Sequence, residues 1–144
     1  MIEQTLVVLK PDALERGLIG EIIGRLERAG LGIVRLQMRT IDDAMARAHY
    51  SDLEERIGTE AFEAVCRYVE SGPVVAMAVE GDGAVAVVRK LVGSTMPADA
   101  APGTIRGDLC HVGRGSAGVA VRNLVHASGT PDEARAELEL WFGA

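Results

Sequence analysis

Lysine, asparagine, cysteine and aromatic side chains are all scarce in this chain. Of its 15 basic residues two are lysines, Lys10 and Lys90; Asn123 is the single asparagine, and the aromatic residues make up 3% of the sequence. Such usage fits a GC-rich genome, a salt- or heat-adapted host, or a designed or reconstructed sequence, and does not separate them. The two cysteines, Cys66 and Cys110, lie far apart, with neither a CxxC spacing nor the density of a disulfide scaffold. They are expected to be reduced thiols in a cytosolic protein. No stretch near the start combines a basic end, a long apolar core and a small-residue cleavage site, and Lys10-Pro11-Asp12 stops the first hydrophobic run early. Secretion and membrane insertion are therefore disfavoured, and a cytoplasmic setting is expected. A formal charge of −6 argues against broad nucleic-acid binding, which needs a basic face. Any phosphate chemistry must use a local basic pocket.

What is present describes an ordinary folded domain. With 144 residues, 48% hydrophobic and 25% charged, the chain is long enough for one core and too apolar for global disorder. Residues 1–144 are expected to form a single domain, with no repeat or linker. Thr5-Leu6-Val7-Val8-Leu9 predicts a buried strand that stops at Pro11. Leu18, Ile19, Ile22, Ile23 and Leu26 recur at helical spacing and predict a helix over residues 18–29, with Gly30 as its stop. A half-exposed strand follows over residues 32–40. Residues 42–70 read as a helical hairpin broken near Gly58. Val74-Val75-Ala76-Met77-Ala78-Val79 is a central strand, and residues 84–91 form a helix before Gly93. An irregular segment marked by Pro97, Pro102 and Gly103 comes next. Residues 119–125 supply a fourth strand, and Thr130-Pro131-Asp132-Glu133 opens a helix to about Trp141. The order is an α+β plan, a sheet backed by helices.

His126 closes the apolar run Val119-Ala120-Val121-Arg122-Asn123-Leu124-Val125. A lone histidine is more often structural than reactive, yet a neutral imidazole held in one tautomer by a carboxylate is a nucleophile toward phosphorus or carbon. Glu137, on the helix that follows, is a candidate for that carboxylate. Lys10, Arg89, Arg106 and Arg122 sit beside turns or loops. Singly each is most simply a solvated surface charge. Together, with Lys10 at a strand end and Arg106 inside Pro102-Gly103-Thr104-Ile105-Arg106-Gly107-Asp108, they can aim cations into one cleft. His49 and His111 show no metal-site spacing and are treated as structural or exposed.

Taken together, Lys10-Pro11-Asp12 with Arg16-Gly17, His49-Tyr50, Ser71-Gly72-Pro73-Val74, Gly93-Ser94-Thr95-Met96-Pro97-Ala98-Asp99, the Pro102 to Asp108 block and Asn123-Leu124-Val125-His126 resemble the nucleoside diphosphate kinase family. The match runs in order from Thr5 to Phe142. The resemblance implies a ferredoxin-like βαββαβ core with a four-stranded antiparallel sheet covered by helices. It implies transfer of the γ-phosphoryl group from a nucleoside triphosphate to a nucleoside diphosphate by a ping-pong route through phosphohistidine on His126. By the same resemblance Glu137 holds the other imidazole nitrogen, and Tyr50 lies beside the histidine. Lys10, Arg89, Thr95 and Arg106 hold phosphates, Lys10 and Asn123 reach the sugar hydroxyls, and Arg56 is a second arginine near the phosphates. Mg²⁺ is implied with the nucleotide, carried mainly by its phosphates rather than by protein ligands. A homo-oligomer is implied too, a hexamer favoured over a tetramer.

The chain departs from the family pattern in places. Residues 57–62 differ where relatives place a base-stacking phenylalanine, so Phe62 is the candidate for that contact. Residues 109–122 are extended by the glycine-rich His111-Val112-Gly113-Arg114-Gly115-Ser116-Ala117-Gly118, resembling archaeal-type versions; a surface loop is favoured there over an anion cradle. Gly129 stands where many relatives have an acidic residue. A nucleotide-binding module that has lost the chemistry, and a structural or nucleic-acid-binding oligomer, are the alternatives. Joint presence of Lys10, Arg89, Arg106, Asn123, His126 and Glu137 disfavours the first, and the acidic balance the second.

Overall fold

In chain order the elements are Ile2–Leu9 (β1), Pro11–Glu15 (α1), Ile19–Arg28 (α2), Gly32–Arg39 (β2), Asp43–His49 (α3), Leu53–Ile57 (α4), Thr59–Val69 (α5), Val74–Asp82 (β3), Ala84–Val92 (α6), Ile105–Leu109 (α7), Val125–Ala127 (β4) and Pro131–Phe142 (α8). The computed structural model describes residues 1–111 and 119–143. The glycine-rich 112–118 excursion lies outside the described residues.

Successive strand side chains point to opposite faces, so a strand apolar at every position must be covered on both. From Leu6 to Leu9, β1 is such a strand. Val7 and Leu9 join Val75, Met77 and Val79 of β3 in a core sealed by Ile22 and Leu26 of α2 and Val88 and Val92 of α6. Leu6 and Val8 join Val74, Ala76 and Ala78 in a second core, closed by Ala46 of α3, Phe62 and Cys66 of α5, and Leu138 and Trp141 of α8. β1 pairs antiparallel with β3 and β4, and β2 pairs antiparallel with β3, giving the order β2-β3-β1-β4. That is the expected ferredoxin-like α+β sheet.

Three expectations are corrected. The fourth strand is not residues 119–125: β4 begins at Val125 and holds His126 at its centre, opposite Val8. The cause is Leu124, which takes a left-handed backbone with φ 70°, while Leu124 N–H donates to Asp12 Oδ2 at 3.1 Å. Such a turn breaks the ladder, and the preceding apolar residues leave the sheet. The hairpin over residues 42–70 is three helices, because Gly58, at φ 89°, separates α4 from α5. Finally, the irregular stretch before Asp108 contains α7, capped by Thr104 Oγ1 accepting from Gly107 N–H at 2.9 Å. Gly107 is demanded by space, since a Cβ there would stand 1.9 Å from the Ala101 carbonyl oxygen.

Candidate active site

Strand parity brings His126 and the first lysine together. His126 is paired with Val8, and opposed residues of an antiparallel pair project from the same face. Lys10 follows β1 in phase with Leu6 and Val8, and its N–H donates to the Leu124 carbonyl at 2.8 Å. Both side chains therefore face the layer of α3, α5 and α8. Between that layer and α6–α7 opens a cleft of about 870 Å³, lined by Lys10, Tyr50, Arg56, Arg89, Thr95, Arg106, Asn123, His126 and Glu137 among others.

At its floor a set of hydrogen bonds fixes the charged groups. Lys10 Nζ donates to Asn123 Oδ1 at 2.8 Å, and Asn123 Nδ2 donates to the Thr95 carbonyl at 3.0 Å. Arg106, 3% exposed, donates from Nε to the Asn123 carbonyl and from Nη1 to the Gly93 carbonyl, both at 3.2 Å, and from Nη2 to the Val125 carbonyl. Its guanidinium is thus held by backbone, and among the described residues no carboxylate pairs with it there. Arg89 donates to the Ala127 carbonyl at 3.4 Å. Burial, with Arg106 alongside, pushes the Lys10 ammonium down to about 7. Burial and then Arg89 push Arg106 down to about 10. A cluster of cations that depress one another is suited to hold an anion.

His126 Nε2 meets Glu137 Oε1 at 2.9 Å, and Ser128 Oγ donates to the same oxygen at 2.6 Å. A carboxylate accepts, so Nε2 carries the proton and Nδ1 keeps its lone pair. Burial, then Lys10, Arg106 and Arg89, push the His126 imidazole down to about 3. It stays neutral at physiological pH. Burial pushes Glu137 up, opposed by the Ser128 hydrogen bond. Tyr50 stands edge-on, its ring centroid 6.4 Å from that of His126, and its buried hydroxyl has no partner among the described residues.

Several contributors have roles that the sequence does not assign. Asp12 accepts from both Tyr68 Oη and Leu124 N–H, holding the left-handed turn before His126. Ser128 shares the face of His126 by strand parity, the one signal that pointed to it. His49, expected to be structural or exposed, is buried beside His126, with ring centroids 4.4 Å apart; His111 is exposed.

Other predicted residues stand elsewhere. Phe62 does not line the cleft: it is 5% exposed in the core, with the Arg47 guanidinium 5.6 Å from its ring centroid. Helical phase explains this correction. Phe62, Cys66 and Val69 form the α5 stripe facing the sheet, while Ala61 and Val65 face the cleft with Leu53 and Ile57. Arg56 is at the rim, exposed and 3.9 Å from Asp52. Arg122 is outside the cleft, 3.6 Å from Glu15.

His49, His126 and Glu137 offer ligand atoms within 4.8 Å of one another, the one group with metal-ligand spacing among the described residues. Trp141 Nε1 donates to His49 Nδ1 at 2.9 Å, which takes that lone pair and leaves the His49 proton on Nε2. Since His126 Nε2 already serves Glu137, the group is a hydrogen-bonded cluster around His126 and a poor ligand set.

Comparison with known proteins places the same geometry in one family. The nucleoside diphosphate kinase family model matches residues 3–144. The nucleoside diphosphate kinase of Archaeoglobus fulgidus is 51% identical, over 98% of this chain and 87% of its own. That of Pyrococcus furiosus is 50% identical, over 98% of this chain and 83% of its own. Among solved structures, a transition-state mimic of the Borrelia burgdorferi enzyme with bound vanadate and ADP aligns at TM-score 0.94 and 36% identity, covering 98% of this chain and 87% of that one. The NDP kinase of Pyrobaculum aerophilum aligns at TM-score 0.85 and 38% identity, covering 99% of this chain and 96% of that one. With family model, relatives and cleft in agreement, the chain belongs to the nucleoside diphosphate kinase family.

Proposed function

We propose that the domain formed by residues 1–144 is an active nucleoside diphosphate kinase that works by ping-pong transfer through His126. The observation that carries this reading is the His126 Nε2 to Glu137 contact, which leaves the Nδ1 lone pair free in a cleft shared with Lys10, Arg89 and Arg106. Nδ1 attacks the γ-phosphorus, the bond from phosphorus to the bridging oxygen breaks, and the nucleoside diphosphate leaves with the electron pair. Nε2 keeps its proton, and Glu137 offsets the positive charge that forms on the ring. A second nucleoside diphosphate then takes the phosphoryl group by the reverse step. Lys10, Arg89 and Arg106 stabilise charge on the phosphoryl oxygens, with the hydroxyl of Tyr50 and Thr95 completing that end. Asn123 and Lys10 reach the sugar hydroxyls, and Arg56 meets the phosphates from the rim.

Mg²⁺ prefers oxygen ligands, whereas the phosphate end presents cations. The ion is therefore assigned to the nucleotide's own phosphates, where it neutralises charge. Leu53, Ile57, Ala61 and Val65 form an aliphatic wall for the base, in place of Phe62. Incubation with ATP labelled in the γ-phosphate, followed by nucleotide removal, should give an acid-labile, base-stable adduct that His126→Ala lacks. Full exchange activity in that variant would sink the mechanism.

A homo-oligomer is proposed as the working form, a hexamer before a tetramer. β2 is an edge strand on which Val34, Leu36 and Met38 are 46%, 60% and 61% exposed, an apolar edge that a second copy would cover. Native mass measurement should show six subunits; a monomer overturns it. No helix among the described residues is long and apolar enough to cross a membrane, and the cytoplasm is proposed as the site of action.

A further inference from the structure

Glu137 alone does not fix the nucleophile. One hydrogen bond at Nε2 leaves an imidazole free to rock about that bond, whereas in-line attack needs the Nδ1 lone pair in one direction. The second hold is perpendicular. The His49 ring lies 4.4 Å from that of His126, centroid to centroid, with 80° between their planes. His49 is itself fixed: Trp141 Nε1 donates to its Nδ1, with the two ring centroids 5.5 Å apart. Trp141, 3% exposed, is fixed in turn by Arg39 of β2, whose Nη1 donates to the Trp141 carbonyl at 3.0 Å and whose guanidinium lies 5.2 Å from the indole centroid. Glu137 and Trp141 are four residues apart on α8, so one helical face carries both holds.

We propose that His49 and Trp141 are positioning residues for the nucleophile: Trp141 sets the tautomer and orientation of His49, and His49 sets the plane of the His126 ring. Trp141 N–H requires a lone pair on His49 Nδ1, so His49 stands neutral and Nε2-protonated beside the nucleophile. Burial, then the neighbouring His126, push His49 down to about 3, which agrees with that form. This inference rests on His126 as the phosphorylated residue, and wild-type enzyme that forms no adduct on His126 would remove that reading separately.

The test compares wild type with Trp141→Phe, which keeps a ring and deletes the donor, and His49→Asn, which keeps an acceptor near the Nδ1 position and deletes the ring. In both, the single-turnover rate of His126 phosphorylation by ATP should fall roughly tenfold while ADP affinity stays within about twofold. Phosphorylation unchanged in both variants overturns the proposal, as does a parallel loss of ADP affinity. Nitrogen-15 NMR of the wild-type protein needs no substitution, so it decides even where a variant does not fold. At pH 7 it should show His49 with the proton on Nε2; a proton on Nδ1, or a cationic His49, overturns the proposal.

Discussion

The two ends of the cleft are built on opposite principles. At the phosphate end Lys10, Asn123 and Arg106 are each at most 7% exposed and are tied to one another or to backbone carbonyls. At the other end Ile57 is 43% exposed and Val119 62%, and the wall is aliphatic. Buried cations locked in place meet their ligand without reorganising, which is where electrostatic catalysis gains most. An aliphatic wall gives contact area and reads no base edge. On the proposed function, the cleft is rigid about phosphate and permissive about base.

The largest expected effect comes from breaking the rigid end. Arg106→Lys keeps the charge but cannot reach the Asn123, Gly93 and Val125 carbonyls together, and kcat/KM should fall about a hundredfold in a nucleoside diphosphate exchange assay. A smaller effect reads the same end through its protons. Lys10 with its pKa lowered to about 7 is mostly neutral at pH 8 in the free cleft, and a polyphosphate beside it favours the charged form. ADP binding at pH 8 should therefore take up close to one proton, measured by calorimetry in buffers of different ionisation enthalpy; Lys10→Arg should abolish the uptake. The smallest effect belongs to the permissive end. Ile57→Ala should change kcat/KM by less than about threefold, and equally for ATP and GTP. A change that separates the two nucleotides would show that this wall discriminates.

Much of this was legible in the sequence where local pattern governs. β1, β3 and α8 follow from apolar runs, Pro11, and the Thr130-Pro131 start. His126 and Glu137 were singled out, and the structure sets them 2.9 Å apart. What stayed hidden depends on tertiary geometry. β4 was misplaced because the left-handed turn at Leu124 is enforced by Asp12, far away in the chain. Phe62 was assigned to the base because sequence order does not show that the α5 stripe facing the sheet includes it. His49 reads as structural or exposed in the sequence because its contacts arise where α3, β4 and α8 converge.

The turn at Leu124 also dictates when the enzyme can come into being. Its two backbone anchors reach across the chain: Leu124 N–H to Asp12, 112 positions earlier, and the Leu124 carbonyl to the Lys10 amide. During synthesis Lys10 is made first and waits, unable to complete the cleft until the segment carrying His126 has emerged and closed a loop of 112 residues. Glu137 emerges later still. On the proposed mechanism, catalysis waits for the segment through Glu137, and a chain cut before it would hold His126 without its carboxylate partner.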